Sequence, residues 1–262
     1  MSGFVSLVGA GPGDADLLTL RAAARLRDAE LVLHDALVDP SLLELAPRAR
    51  RFYVGKRAGS HSIAQAEIER LMIRAARRGE RVVRLKCGDP FVLGRGGEEA
   101  IALALAGVDY EIVPGVSSAV AAPALAGIPV THRGLASGFV VISGHAPELV
   151  DRIAPPCGGA DRPAQGPAIE AIAPAGFTIV ALMALRTRGE LAARMIARGW
   201  STHTPAAIVQ AAASARQRAW LGTLGELATA PVELELPGVV VIGEVVTLAR
   251  ANVRALAQEA HA

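Results

Sequence analysis

The sequence predicts a two-domain α/β protein, with a mainly parallel N-terminal sheet over residues 1–135 and a mixed C-terminal sheet over 136–262. Three observations carry this. Apolar strands alternate strictly with amphipathic helices through the first half, the pattern of a parallel sheet covered by helices on both faces. Turns follow these strands, most of them containing glycine, at 9–14, 55–57, 86–90 and 114–118. After Thr131-His132-Arg133 the pattern changes to a second unit that reads as mixed rather than purely parallel.

The first strand covers 4–8, and after a glycine turn a helix runs over about 16–29, capped by Asp14 or Asp16. A second strand at 30–34 ends on Asp35, a short helix surrounds 40–45, and a third strand at 51–54 runs into Gly55-Lys56-Arg57. Ser62-Ile63-Ala64-Gln65 reads as a capping box; Ile68, Leu71, Met72 and Ala75 then share one helical face, and Gly79 closes the helix. A strand at 81–85, a loop at 86–90, a helix over about 98–106 ended by Gly107, and a strand at 110–113 follow, before Pro114-Gly115 opens another helix. In the second half, strands fall near 139–143, 178–182, 206–210, 218–221 and 239–242. Between Ala146 and Gly176 lies a stretch rich in Pro, Gly and Ala that reads as a mobile connection or lid.

Composition narrows the function. The chain is 52% apolar, enough for buried cores without staples, and its two cysteines, Cys87 and Cys157, form neither a C-x-x-C nor part of a metal-spaced cluster. That points to a reducing compartment, and with no leader-like start and no apolar run near the roughly 20 residues needed to span a bilayer, to a cytoplasmic protein. A net charge of +2 is too small and too scattered to argue for nucleic acid, and 3% aromatic residues leave few stacking platforms. A small-molecule enzyme fits best.

In an open parallel sheet, ligands sit beyond the carboxyl ends of the strands, so the loops at 9–14, Asp35, 55–57, 86–90 and 114–118 should line one edge. Gly9-Ala10-Gly11-Pro12-Gly13-Asp14 sits where a dinucleotide fingerprint would, but that motif needs glycine at the place of Asp14, and Pro12 lacks an amide a pyrophosphate would use. A nicotinamide enzyme is therefore a weak fit, and taken alone the motif reads equally well as a tight strand-to-helix turn. Lys86-Cys87-Gly88-Asp89-Pro90 exposes backbone groups and one carboxylate at the same edge, and Gly94-Arg95-Gly96-Gly97-Glu98-Glu99 opens a helix whose dipole suits the two glutamates. Asp35, directly after an apolar strand, is either used chemically or caps the next helix. Lys56, Arg57, His132 and Arg133, joined by Arg84, Lys86 and Arg95 depending on pleat, are solvated cations or a binding face for a carboxylate-rich substrate.

Taken together the motifs resemble the uroporphyrinogen-III methyltransferases of the tetrapyrrole methylase family, over nearly the whole chain. The elements include V-x-L-V-G-A-G-P-G-D from Val5 to Asp14, His34-Asp35-Ala36-Leu37-Val38, Val54-Gly55-Lys56-Arg57, Gly88-Asp89-Pro90, Gly94-Arg95-Gly96-Gly97-Glu98-Glu99, Val113-Pro114-Gly115-Val116, Thr131-His132-Arg133, Thr204-Pro205-Ala206 and Gly243-Glu244-Val245-Val246. The resemblance implies a homodimeric two-domain enzyme, acting on a small tetrapyrrole, that holds S-adenosylmethionine between its domains and releases S-adenosylhomocysteine. The implied cofactor positions are Pro12, Cys87, Gly88, Asp89, Val92, Ser117, Ser118, Met183 and Ala212. Asp35 and Lys56 match the family's proposed base and acid, while Arg57, Arg95, His132 and Arg133 would meet the substrate's carboxylates. No metal, nucleic acid or membrane is implied. The implied reaction places methyl groups at carbons 2 and 7, giving precorrin-2 for sirohaem and cobalamin. A later precorrin methyltransferase, a non-catalytic tetrapyrrole carrier and a nicotinamide oxidoreductase are the competing readings. The chain departs from the family in carrying Cys87, Ala184 and Ala212 at positions usually occupied by glycine, and in a longer stretch at 155–175.

Overall fold

A computed structural model describes residues 3–55, 64–144 and 176–249. Their contacts divide the chain into two compact units, Met1–Ser118 and Ala119–Ala262.

The first unit holds a five-stranded sheet in the order β3-β2-β4-β1-β5, all neighbours parallel: β1 (Phe4–Gly9), β2 (Leu31–His34), β3 (Arg50–Tyr53), β4 (Arg81–Lys86) and β5 (Tyr110–Val113). β1 and β4 are buried along almost their whole length, as central strands of a sheet covered on both faces must be. Val5, Leu7, Leu33 and Val82 pack on Ile68, Met72 and Ala75 of α3 (Gln65–Arg77) and on Leu103 of α4 (Gly96–Leu105). On the opposite face Val8, Val32, Val83 and Leu85 meet Ala22 and Leu26 of α1 (Leu20–Asp28) and Leu42 of α2 (Pro40–Leu43).

Three boundaries differ from the sequence reading, each through a cap. The long first helix is split, because Asp14 caps only a single 3-10 turn (Ala15–Leu17) while Thr19 Oγ1 accepts the Ala22 amide at 3.2 Å and starts α1. α2 is capped by Asp39, which accepts the Ser41 amide at 2.8 Å, with Pro40 supplying the pre-set first-turn φ. Asp35 is therefore not its cap. α3 has Ala64 at its cap position with no side-chain cap bond, and the Gln65 amide reaches Glu99 Oε1 at 3.1 Å instead of folding back as a capping box requires; Ser62 of the expected box lies outside the described residues. At the far end, Gly79 adopts φ +86° and closes α3 as expected.

The second unit carries a sheet ordered β6-β7-β10-β8-β9, from β6 (Ala136–Ser143), β7 (Gly176–Leu182), β8 (Pro205–Gln210), β9 (Arg218–Thr223) and β10 (Gly238–Ile242). β6 and β7 are parallel while the other pairs are antiparallel, so the sheet is mixed as the sequence predicts. α6 (Arg188–Ala197) covers one face through Leu191, Ala192 and Met195. The other face takes α5 (Ser118–Leu125): Ala119, Ala122 and Ile128 share a core with Val180, Ala207, Val209 and Val241. That packing puts the division between units at Ser118/Ala119, ahead of the 135/136 boundary read from sequence. The expected connection between Ala146 and Gly176 lies, up to residue 175, outside the described residues. No helix among the described residues is long and apolar enough to cross a membrane.

Candidate active site

The five parallel strands of the first unit end together, and the segments that follow them form its carboxyl edge. Backbone contact there is very close. Ala10 N donates to Lys86 O at 2.7 Å, Gly88 N to Gly11 O at 2.7 Å, and Gly11 N to Gly88 O at 3.2 Å, stitching the turn after β1 to the turn after β4. A β-carbon at Gly115 would lie 2.3 Å from Gly88 O and 2.7 Å from Gly9 Cα, so three glycines let three loops share the space of one. Asp89 locks this arrangement: Oδ1 accepts the Phe91 amide at 2.8 Å and Oδ2 the Gly115 amide at 3.0 Å. Its carboxylate thus shapes the edge, where the sequence reading offered it to a ligand.

Cys87, in the same turn, points its thiol toward Gly11 O at 3.8 Å. Burial and the nearby Asp35 carboxylate push its pKa up to about 11, against hydrogen bonds from Ser118 and Gly88 that pull it down. It is therefore a neutral thiol in ordinary conditions. Neither Cys87 nor Ala184 nor Ala212 has a positive φ, so the β-carbons that replace the family's usual glycines sit on unstrained backbone.

Beneath the edge lies a buried charged cluster. Arg84 and Lys86 alternate with Val83 and Leu85 on β4 and so project to one face, toward Glu99 on α4. Glu99 Oε1 accepts from Arg84 Nε at 3.0 Å, Lys86 Nζ at 3.1 Å and Gln65 Nε2 at 3.1 Å, and Oε2 lies 3.0 Å from Lys86 Nζ. Arg84 continues to Asp35, Nη2 to Oδ1 at 2.5 Å. The side chains of Glu99, Arg84 and Lys86 are 0%, 3% and 4% exposed, whereas Asp35 is 29% exposed. Two cations and two carboxylates balance. Burial, helped by Arg84, holds the Lys86 ammonium below its ordinary pKa, while Glu99 and Asp35 oppose the shift. His34, edge-on to Tyr53 with ring centres 5.7 Å apart, is likewise lowered by burial.

This cluster corrects one expectation. Arg84 and Lys86 do not supply free cations to a substrate, since Glu99 and Asp35 engage them. Arg95, which caps α4 at φ +59°, pairs with Glu98 at 3.1 Å on the surface. Lys56 and Arg57 lie outside the described residues. Glu99 is the residue the sequence reading missed as an anchor, and a signal was present: it falls on the stripe of Gly96, Ala100 and Leu103, the buried side of α4.

Of the remaining expected positions, Pro12, Val92, Ser117 and Ser118 lie in the first unit, while Met183, Ala212, His132 and Arg133 belong to the second. β6, β7 and β8 run in one direction there, so Gly144, Met183 and residues 211–213 follow their carboxyl ends. Met183 is half exposed at φ +59°, and Ala211 and Ala213 are at φ +47° and +59°, backbone strain concentrated at this edge. Ala184 is fully buried, and a β-carbon on Gly144 would come within 2.4 Å of its own. His132 exchanges two 2.9 Å backbone bonds with Ala136, leaving His132 and Arg133 exposed in a tight turn.

Comparison with known proteins agrees with this architecture. Residues 5–228 match the family described as tetrapyrrole (corrin/porphyrin) methylases. A siroheme synthase of Pseudomonas aeruginosa is 44% identical over 250 residues, 94% of this chain but 51% of that protein. A siroheme synthase 2 of Aeromonas hydrophila is 43% identical over 247 residues, 94% of this chain and 50% of the relative. The chain thus spans about half the length of these curated relatives. The crystal structure of uroporphyrin-III C-methyltransferase from Thermus thermophilus complexed with S-adenyl homocysteine is 40% identical, with a TM-score of 0.74, covering 93% of this chain and 99% of that one. A glycine-stitched parallel sheet edge, a second mixed sheet with strained strand ends, and a family match across most of the sequence converge: the chain belongs to the tetrapyrrole methylase family.

Proposed function

We propose that the chain catalyses S-adenosylmethionine-dependent C-methylation of uroporphyrinogen III at carbons 2 and 7, giving precorrin-2 and S-adenosylhomocysteine. The observation that carries this is Asp35, a partly exposed carboxylate held at the carboxyl end of β2 on an Arg84–Glu99 scaffold. The 40% identity with the Thermus thermophilus enzyme along nearly its full length supports uroporphyrinogen III as the substrate.

S-adenosylmethionine, when bound, supplies an electrophilic methyl group. We assign its contacts to Pro12, Cys87, Gly88, Asp89, Val92, Ser117 and Ser118 in the first unit and to Met183 and Ala212 in the second. Glycine-rich, closely packed backbone suits recognition through main-chain groups, and ordinary φ at Cys87 and Ala212 removes the strain their β-carbons could have caused. A pyrrole carbon of the substrate forms the new carbon–carbon bond as the sulfonium bond breaks, and the proton released as conjugation is restored goes to Asp35. Lys56 is assigned the complementary acid role. Arg57, Arg95, His132 and Arg133 are assigned to the acetate and propionate arms; Arg95 can exchange the exposed Glu98 for a substrate carboxylate at little cost. The protein's further tasks are to orient two ligands and exclude water. We place it in the cytoplasm as a homodimer, to be checked by light scattering.

The test offers methyl-labelled S-adenosylmethionine with uroporphyrinogen III or with precorrin-2 as acceptor. Label on uroporphyrinogen III and none on precorrin-2 supports the reading. Transfer only to precorrin-2 identifies a later methyltransferase instead, and binding of either tetrapyrrole without transfer identifies a carrier.

A further inference from the structure

Buried ion clusters are weak devices for stability, because desolvation consumes most of the Coulomb attraction and a well-packed apolar replacement is often as stable. The cluster beneath the sheet edge is nevertheless built from four charged groups, three of them almost fully buried, and it reaches solvent only at Asp35. Its geometry is that of a clamp. All three guanidinium nitrogens of Arg84 are occupied: Nε by Glu99, Nη2 by Asp35, and Nη1 by the Leu33 and Leu85 carbonyls at 3.4 Å each. Glu99 is itself held by Lys86, two residues beyond Arg84 on the same face of β4, and by Gln65 of α3. Rotation of the Arg84 fork would break contacts to two strands and one helix at once. Among the described residues, only Oδ1 of Asp35 is engaged by a side chain, through this fork.

We propose that Arg84 and Glu99 are positioning residues for methyl transfer: Glu99 fixes the Arg84 guanidinium, and Arg84 fixes Asp35 in one rotamer with its second oxygen left for the substrate proton. The proposal rests on the reading of Asp35 as the base. It predicts that loss of the fork lowers turnover without weakening ligand binding, since neither residue is assigned to touch substrate or cofactor.

A double-mutant cycle on single-turnover methyl transfer to uroporphyrinogen III decides it, using Asp35→Asn, Arg84→Gln and the pair. Arg84→Gln should lower kcat about 10- to 100-fold, the range of a misplaced catalytic group, with KM and S-adenosylhomocysteine affinity within about twofold. Arg84→Lys should recover part of the loss. In the Asp35→Asn background, Arg84→Gln should cost nothing further, because residues acting as one unit are not additive. If Arg84→Gln does not fold by circular dichroism, Arg84→Lys and Glu99→Gln carry the same cycle. An undiminished Arg84 effect on top of Asp35→Asn, or a loss appearing in KM alone, overturns the positioning role while leaving Asp35 as base. Normal turnover by Asp35→Asn overturns both.

Discussion

Glu98 and Glu99 are adjacent in sequence and opposite in environment, so replacing each in turn by glutamine isolates what burial does to a charge. Glu99 is fully buried and within 3.0–3.1 Å of Arg84 and Lys86, whose side chains are 3% and 4% exposed. In Glu99→Gln the shape remains, but two buried cations are left with one partly exposed counter-charge, Asp35. Removing one partner of a buried ion pair costs about 3–5 kcal/mol, against a total stability of about 5–15 kcal/mol for a typical domain. Part of that loss has an outlet. Lys86 already sits below its ordinary pKa through burial, and Glu99 is one of the groups opposing the shift, so its removal drives the ammonium further toward the neutral amine. A depressed lysine binds fewer protons folded than unfolded, hence stability rises as pH climbs from the depressed value toward the ordinary 10.5. The deficit of Glu99→Gln should therefore shrink between neutral pH and about pH 10, while Glu98→Gln, on the surface with Arg95, should match the parent throughout. Native-state hydrogen exchange of the β1 and β4 amides is the suitable assay, because it reads the first unit alone. A Glu99→Gln deficit below about 1 kcal/mol at neutral pH, or one that does not shrink with pH, would refute this account of the cluster.

Three further outcomes follow from the geometry. Asp39→Ala should cost about 0.5–2 kcal/mol, the worth of the cap bond to the Ser41 amide, with full turnover, whereas Asp35→Asn should lose 10²- to 10⁴-fold in rate while still folding and binding S-adenosylhomocysteine, its melting temperature lowered by the loss of the charge paired with Arg84. Gly115→Ala places a β-carbon 2.3 Å from Gly88 O, a backbone atom that cannot step aside, so calorimetry should show S-adenosylhomocysteine binding lost; Gly97→Ala, with nothing within 4 Å, should instead stabilise α4 by about 0.5–1 kcal/mol. Cys87, with its pKa pushed up to about 11 from 9.0, should alkylate with iodoacetamide at pH 8 about 100-fold more slowly than an unperturbed thiol, read peptide by peptide in the mass spectrum; labelling at the free-thiol rate would contradict the neutral, buried sulfur.

Much of the fold is written in local pattern. The parallel first sheet follows from the alternation of short, largely apolar strands with helices and from the glycine turns that end most of them, and Gly79 marks a helix end because φ +86° disfavours any β-carbon. The misreadings come from neighbouring groups that compete to cap a helix and from groups whose partners are distant in sequence. The sequence offers Asp14 or Asp16 as the cap of one long helix, and only the three-dimensional start of α1 shows that Thr19 meets the Ala22 amide. Ala119 and Ala122 read as the close of the first pattern, but small side chains carry no periodic signature that says which sheet they cover, and they pack in the second unit. Arg84 and Lys86 were visible as two cations on one face of a central strand. That arrangement demands a buried anion, and Glu99, 13 residues beyond Lys86 and on the apolar stripe of α4, supplies it. The cofactor and substrate positions owe their assignment to the family resemblance, since backbone contacts leave little trace in side-chain chemistry.

The central claim is a count of methyl groups. Uroporphyrinogen III incubated without oxygen with excess S-adenosylmethionine and the protein should yield a tetrapyrrole carrying two added methyls by mass, with two equivalents of S-adenosylhomocysteine, while the Asp35→Asn protein binds the same ligands and forms almost none. A tetrapyrrole recovered at its starting mass after incubation with the folded, S-adenosylhomocysteine-binding protein would contradict the account.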